Sequence, residues 1–208
     1  MNTNFLARDR LFVRAALFFV AWIVVGINAV CFAVQEQAAA ETNASSESTT
    51  WLIIRHAERD GENDALTDAG KNRAGVLQQL GAVLNVSAVY STDFVRTKST
   101  VQPLADLLGQ EIQLYEKTTD EWYENVRKEN VGGVVLIVGH SNTAGVIAGK
   151  FAGVEPFAIG HDEYDSLFVV TSKSNNSSVV RLKYGQTSAG AESASPENMG
   201  PIKSSKIP

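Results

Sequence analysis

The chain has 208 residues, a formal net charge of -5 and an apolar share of 44%. That size and composition suit one packed domain with tails, and the acidic balance leaves no basic field for a nucleic-acid partner. The single cysteine, Cys31, rules out an internal disulfide and any zinc-ligand spacing.

Residues 15–34 read AALFFVAWIVVGINAVCFAV, apolar apart from Asn28, and about 20 such residues are enough to cross a bilayer as a helix. Arg8, Arg10 and Arg14 precede the run, while Glu36, Glu41 and Glu47 follow it. The basic flank is expected to stay cytoplasmic, which makes everything after residue 34 extracytoplasmic. The length favours an uncleaved N-terminal membrane anchor; Ala38-Ala39-Ala40 offers the alternative of a signal-peptide cleavage site. Residues 1–34 are thus read as anchor or signal and residues 35–50 as a polar linker. Residues 51–184 form the folded unit. Residues 185–208, rich in Gly, Ser and Pro, are expected to lack packed structure.

Within the folded unit, Trp51-Leu52-Ile53-Ile54 predicts a buried strand leading into Arg55-His56. Thr67 and Asp68 open a helix with a hydroxyl cap and an acidic first turn, and Gly81 is its expected stop. Residues 87–90 predict a strand. Ser91, Thr92 and Asp93 offer caps for a helix over 94–108 that carries Arg96 and is interrupted by Pro103. An edge strand is expected at 112–115, an amphipathic helix over 120–129, and a strand over 134–138 that delivers Gly139-His140. Ser141-Asn142-Thr143 opens a helix towards Phe151, and strands at 167–171 and 179–182 close the unit. Alternating strands and helices imply an α/β sheet with helices on both faces. In such sheets ligands sit outside the carboxyl ends of the strands, where both Arg55-His56 and Gly139-His140 fall.

Two arginines and two histidines together suit a phosphoryl group. Guanidinium forks grip its oxygens in pairs, and neutral imidazole is a nucleophile at neutral pH. A second histidine, if protonated, adds positive charge and a donor. The N–H groups at the helix start after His140 add an anion site. Arginines then supply the charge stabilisation a metal would otherwise give, so neither metal nor cofactor is expected.

Four ordered elements carry a resemblance: Arg55-His56-Ala57-Glu58, Leu66-Thr67-Asp68-Ala69-Gly70, Tyr90-Ser91-Thr92 with Arg96, and Val138-Gly139-His140. The chain resembles the histidine phosphatase superfamily, in particular its small phosphohistidine-phosphatase-like branch. The resemblance implies a phosphoglycerate mutase-like fold, a three-layer α/β/α sandwich with a mostly parallel sheet. It implies that His56 is the phosphorylated nucleophile and that Arg55, Arg96 and His140 form the phosphate pocket. Asn142 is a further candidate for substrate contact. Glu58 either orients the pocket or pairs with Arg59. His161 lies at the rim or on the surface, and Trp122 and Tyr123 are expected to pack in the core rather than wall the substrate.

A general acid is harder to place. Ser141 stands where one branch of the family has an aspartate directly after the second histidine. The other branch takes its acid from beyond the second arginine's helix, where Asp120, Glu121 and Glu124 are candidates and Glu121 is preferred. The function this implies is hydrolysis of a phosphorylated small molecule or phosphoprotein. The alternatives are a membrane-tethered adaptor with degenerate catalysis and, more remotely, a phosphoglycerate mutase-type phosphotransferase.

Overall fold

A computed structural model describes residues 47–173 and 176–188. The expected anchor or signal segment at 15–34 lies outside the described residues, as does the tail beyond 188. Among the described residues no helix is long and apolar enough to cross a membrane.

The strands are β1 (Ser48–Arg55), β2 (Ala88–Ser91), β3 (Ile112–Leu114), β4 (Val134–Gly139), β5 (Ser166–Lys173) and β6 (Asn176–Lys183). The helices are α1 (Asp68–Val83), α2 (Val95–Leu108), α3 (Asp120–Glu129) and α4 (Ala144–Ala152). One six-stranded sheet runs in the order β3-β2-β4-β1-β5-β6. The first four strands are mutually parallel, and β5 and β6 add an antiparallel edge.

Alternation along the strands sorts the core into two layers. Trp51, Ile53, Val135, Ile137 and Phe168 face α3 and α4, where Tyr123, Val126, Ile147 and Phe151 complete one cluster. Leu52, Ile54, Val89, Leu136 and Val138 face α1 and α2, meeting Leu77, Val101 and Leu104. The sheet is therefore covered on both faces, as a run of buried parallel strands requires. Trp51 stacks on Phe151 with ring centres 4.1 Å apart, tying the central strand to α4.

Several boundaries differ from the sequence reading, each for a local reason. β1 begins at Ser48, within the expected linker, because residues 48–50 pair with β5. Thr67 caps α1 by accepting from the Gly70 N–H at 3.2 Å, but α1 runs past Gly81 to Val83. Gly81 is a packing glycine rather than a stop: a Cβ there would meet the Leu104 side chain of α2. Gly70 serves a different purpose, since a Cβ on it would drive into the Glu58 carbonyl oxygen. Thr67 donates its own N–H to that same carbonyl at 3.0 Å. The Leu66–Gly70 element thus clamps the loop that follows His56. Residues 185–188 also pack on the domain, because Arg73 donates to the Gln186 carbonyl and Ser188 N–H to Asp165.

Crossover geometry sets where a ligand can bind. α1 leaves β1 towards one face of the sheet, and α4 leaves β4, its neighbour, towards the other. The crevice between the carboxyl ends of β1 and β4 is the topological switch point, where α/β sheets hold ligands.

Candidate active site

In the register of β1 and β4, Arg55 lies opposite Gly139, and the His56 N–H donates to the Gly139 carbonyl at 2.9 Å. His56 and His140 thereby leave the sheet side by side, with ring centres 5.5 Å apart. α2 is tied to the same turn, since Thr100 Oγ1 accepts the Ala57 N–H at 2.9 Å and donates to the Arg96 carbonyl at 2.7 Å. That link brings Arg96 alongside. Arg55, His56, Arg96 and His140 line one cavity of about 430 Å³, with Arg59, Asn142 and Tyr164 at its edge. Four residues from three distant parts of the sequence are thus gathered in one cavity.

Hydrogen bonding assigns the two imidazoles opposite tautomers. His56 Nδ1 faces the Ala57 carbonyl at 2.9 Å, and a carbonyl only accepts, so the proton sits on Nδ1 and Nε2 keeps its lone pair. His140 Nδ1 faces the Arg96 Nη2 at 3.2 Å, and a guanidinium only donates, so His140 carries its proton on Nε2. That N–H donates to Thr92 Oγ1 at 3.0 Å, which passes its own proton to Thr97 Oγ1 at 3.1 Å.

Burial pushes the pKa of both imidazoles down to about 4, and the cations Arg55 and Arg96 push in the same direction. Both rings are therefore neutral at neutral pH. His56 has the nucleophilic form that covalent catalysis needs. His140 differs from the protonated donor considered above: it is uncharged, and both its nitrogens are occupied in orienting Arg96 and Thr92.

The arginines are held by the protein on one edge each. Arg55 Nη1 donates to the carbonyls of Gly160 and Glu163, both at 3.1 Å, and to that of His161, with the guanidinium 3.9 Å from the Tyr164 ring centre. The Glu163 side chain anchors this loop through Arg181, Lys183 and Ser166. Arg96 Nη1 pairs with Asp64 at 2.6 Å. The Nε atoms of both arginines are buried without a hydrogen-bond partner, and such donors are rare in folded proteins. At the helix start the Thr143 and Ala144 N–H groups close onto the His140 carbonyl at 3.1 and 2.9 Å, while Ser141 and Asn142 line the cavity.

Glu58 takes neither of its expected roles. Its carboxylate is held by Arg73 Nε at 2.9 Å and Nη2 at 2.6 Å, on the α1 side of the loop. The His161 side chain is 90% exposed beside Asp162, at the rim of the cavity, and its carbonyl holds Arg55. Trp122 and Tyr123 pack in the core as expected.

Glu121 lies on the exposed first turn of α3 and lines neither cavity of the site. Asp120 pairs with Lys150 at 2.7 Å and Glu124 with Arg127 at 3.7 Å. An acidic residue that does line the site, outside the expected set, is Glu116. It lines a second cavity of about 550 Å³ that shares Arg96, His140 and Asn142 with the first. Tyr115 fixes its position, donating its N–H to the Ser91 carbonyl at 3.0 Å and its hydroxyl to the Val138 carbonyl at 2.9 Å. Glu116 lies two residues beyond the end of β3, so it too falls past the carboxyl end of a strand.

Among solved structures, 86 chains match. The protein histidine phosphatase SixA complexed with tungstate superposes with a TM-score of 0.53 at 16% identity, covering 64% of this chain and 96% of that one. The chain has the histidine phosphatase fold. The fold recurs in a SixA phosphohistidine phosphatase from Nakamurella multipartitia (TM-score 0.51, 16% identity, 67% and 96% covered). It also recurs in a phosphoglycerate mutase from Bacillus anthracis str. Sterne (TM-score 0.54, 11% identity, 67% and 95% covered). No family model and no curated protein sequence matches the chain.

The two depressed imidazoles have a pH signature. In the unfolded chain histidine titrates at about 6.5, so between that pH and about 4 the unfolded state binds protons that His56 and His140 refuse. Stability is therefore complete above about pH 6.5 and falls as the pH drops towards 4. Imidazole NMR titration checks the cause: the His56 and His140 signals are expected to move near pH 4, and midpoints near 6.5 would refute the burial account.

Proposed function

We propose that the protein is a phosphohydrolase that cleaves a phosphomonoester or a phosphoprotein through a covalent phosphohistidine on His56. The observation that carries this is one cavity lined by Arg55, His56, Arg96 and His140, in which a neutral His56 keeps its lone pair on Nε2. A tetrahedral anion is the group that accepts from both arginines while exposing its central atom to a nucleophile.

The reaction runs in two displacements. His56 Nε2 attacks phosphorus in line, the P–N bond forms, and the bond to the leaving oxygen breaks. Glu116, in the adjoining cavity, gives that oxygen a proton. Water then attacks the phosphohistidine, yields its proton to Glu116, and the P–N bond breaks to release phosphate and neutral His56. The arginines stabilise the equatorial oxygens in both steps, with no metal invoked. His140 keeps the Arg96 fork facing the site. Among the structural neighbours, the SixA proteins are phosphohistidine phosphatases, which agrees with a phosphorylated substrate. We also place the domain on the extracytoplasmic side, supported by the charge asymmetry around residues 15–34. The adaptor alternative rested on a missing acid, a role this reading gives to Glu116.

Two measurements test this reading. Rapid quench of the wild type with an aryl phosphate is expected to trap acid-labile phosphate on the chain. His56→Ala is expected to trap none and to lose at least about 10³-fold in turnover; full activity in that variant contradicts the mechanism. Glu116→Gln is expected to cost about 10²–10⁴-fold on an alkyl phosphate, the usual worth of a general acid, but less than about tenfold on an aryl phosphate whose leaving group needs no proton. Equal losses on both substrates would remove Glu116 from the proton-transfer role.

A further inference from the structure

We propose that Asp64 is a positioning residue for Arg96, holding its guanidinium at the phosphoryl site; the inference rests on the phosphohydrolase reading above. Asp64 lies in the loop between β1 and α1, more than thirty residues from Arg96 in sequence. It touches Arg96 twice. Its Oδ1 accepts from Arg96 Nη1 at 2.6 Å, and its Oδ2 accepts the Arg96 backbone N–H at 3.4 Å.

The second contact has a structural cause. α2 starts without a side-chain cap, because Phe94 at the cap position has no acceptor. The first N–H groups of a helix need partners from elsewhere, and the positive end of the helix favours an anion. Asp64 supplies both from a different loop. One carboxylate therefore fixes the main chain and the side chain of the same arginine.

The remaining contacts of Arg96 follow from that anchor. With Nη1 drawn to Asp64, Nη2 reaches His140 Nδ1 at 3.2 Å, and the guanidinium lies 4.3 Å from the Phe94 ring centre. Nε is left buried and unpartnered. Arg59, at the cavity edge, stands 3.7 Å from the same Asp64 oxygen, so the carboxylate organises two cations at the rim. The loop holds Asp64 in the left-handed region, at φ 56°. It is braced there by the Asp60 N–H on the Ala65 carbonyl at 2.7 Å and by the bridge between Arg59 and Leu66. A non-glycine residue is costly in that conformation, and the contacts to Arg96 offset the cost. Partial burial opposes the charge on Asp64, but its hydrogen bonds to Arg96 outweigh it and keep the carboxyl below the ordinary aspartate range.

A carboxylate so near an anion site could instead act as a competitor for Arg96, and the two roles have opposite signs. A positioning residue strengthens phosphate binding by holding the fork in place; a competitor weakens it. The test uses the full chain and inorganic phosphate, measured by calorimetry and as a competitive inhibitor. Asp64→Ala is expected to weaken phosphate about 10–100-fold and to lower kcat/KM by a similar factor. Asp64→Asn retains oxygen and size, and asparagine caps helices as well as aspartate does, so its melting temperature is expected to stay near wild type. Its phosphate affinity is nevertheless expected to fall, a separation that a purely structural role would not produce. Unchanged or tighter phosphate binding in a folded Asp64→Asn overturns the proposal while leaving His56 phosphorylation intact. Absence of both phosphate binding and His56 phosphorylation in the wild type overturns the functional reading, and this one with it.

Discussion

The site depends on the parallel pairing of β1 with β4. Because Arg55 lies opposite Gly139 and the His56 N–H bonds the Gly139 carbonyl, the residues that follow each strand leave the sheet at the same height. A slip of one residue would turn Ile53 and Ile137 out of their layer and send the two histidines to different levels. The apolar strand residues that bury the sheet on both faces therefore also set the spacing of the catalytic pair.

Within that frame, the electrostatics is built from neutral rings and fixed cations. The arginines are each committed to the protein on one side, Arg55 to a carbonyl loop and Arg96 to Asp64 and His140, and face the cavity with the other. Burial and those cations keep both imidazoles uncharged. A dianion entering the site would reverse the second effect, since it favours the protonated form of any nearby imidazole. The supporting residues sit one contact further out: Thr100 under the His56 turn, Glu163 under the Arg55 loop, and Arg73 against Glu58.

Much of this was legible in the amino-acid pattern. The apolar runs at 51–54 and 134–138 and the alternation with helices indicated a layered α/β sheet, and the strand-end rule brought His56 and His140 together before any coordinates. What escaped was decided by contacts that have no periodicity. Gly81 reads as a helix stop, yet it is small because Leu104 of another helix presses on it. Glu58 has Arg59 beside it in sequence, but its partner Arg73 comes from α1, one turn beyond the clamped loop. The carboxylates of α3 crowd together in the sequence, yet Glu121 faces solvent, while Glu116, past the end of β3, lines the second cavity. Asp64 carries no motif at all. Its role follows only from an uncapped helix on a neighbouring element.

The central claim is that phosphorus lies in line with His56 Nε2 inside the cage of Arg55, Arg96 and His140. A crystal structure soaked with vanadate tests it most directly. The expected result is a trigonal-bipyramidal vanadium bonded to His56 Nε2, its equatorial oxygens on the two arginines and its apical oxygen towards Glu116. Vanadate bound elsewhere, or a His56 ring turned so that Nδ1 faces the cavity, would contradict the account.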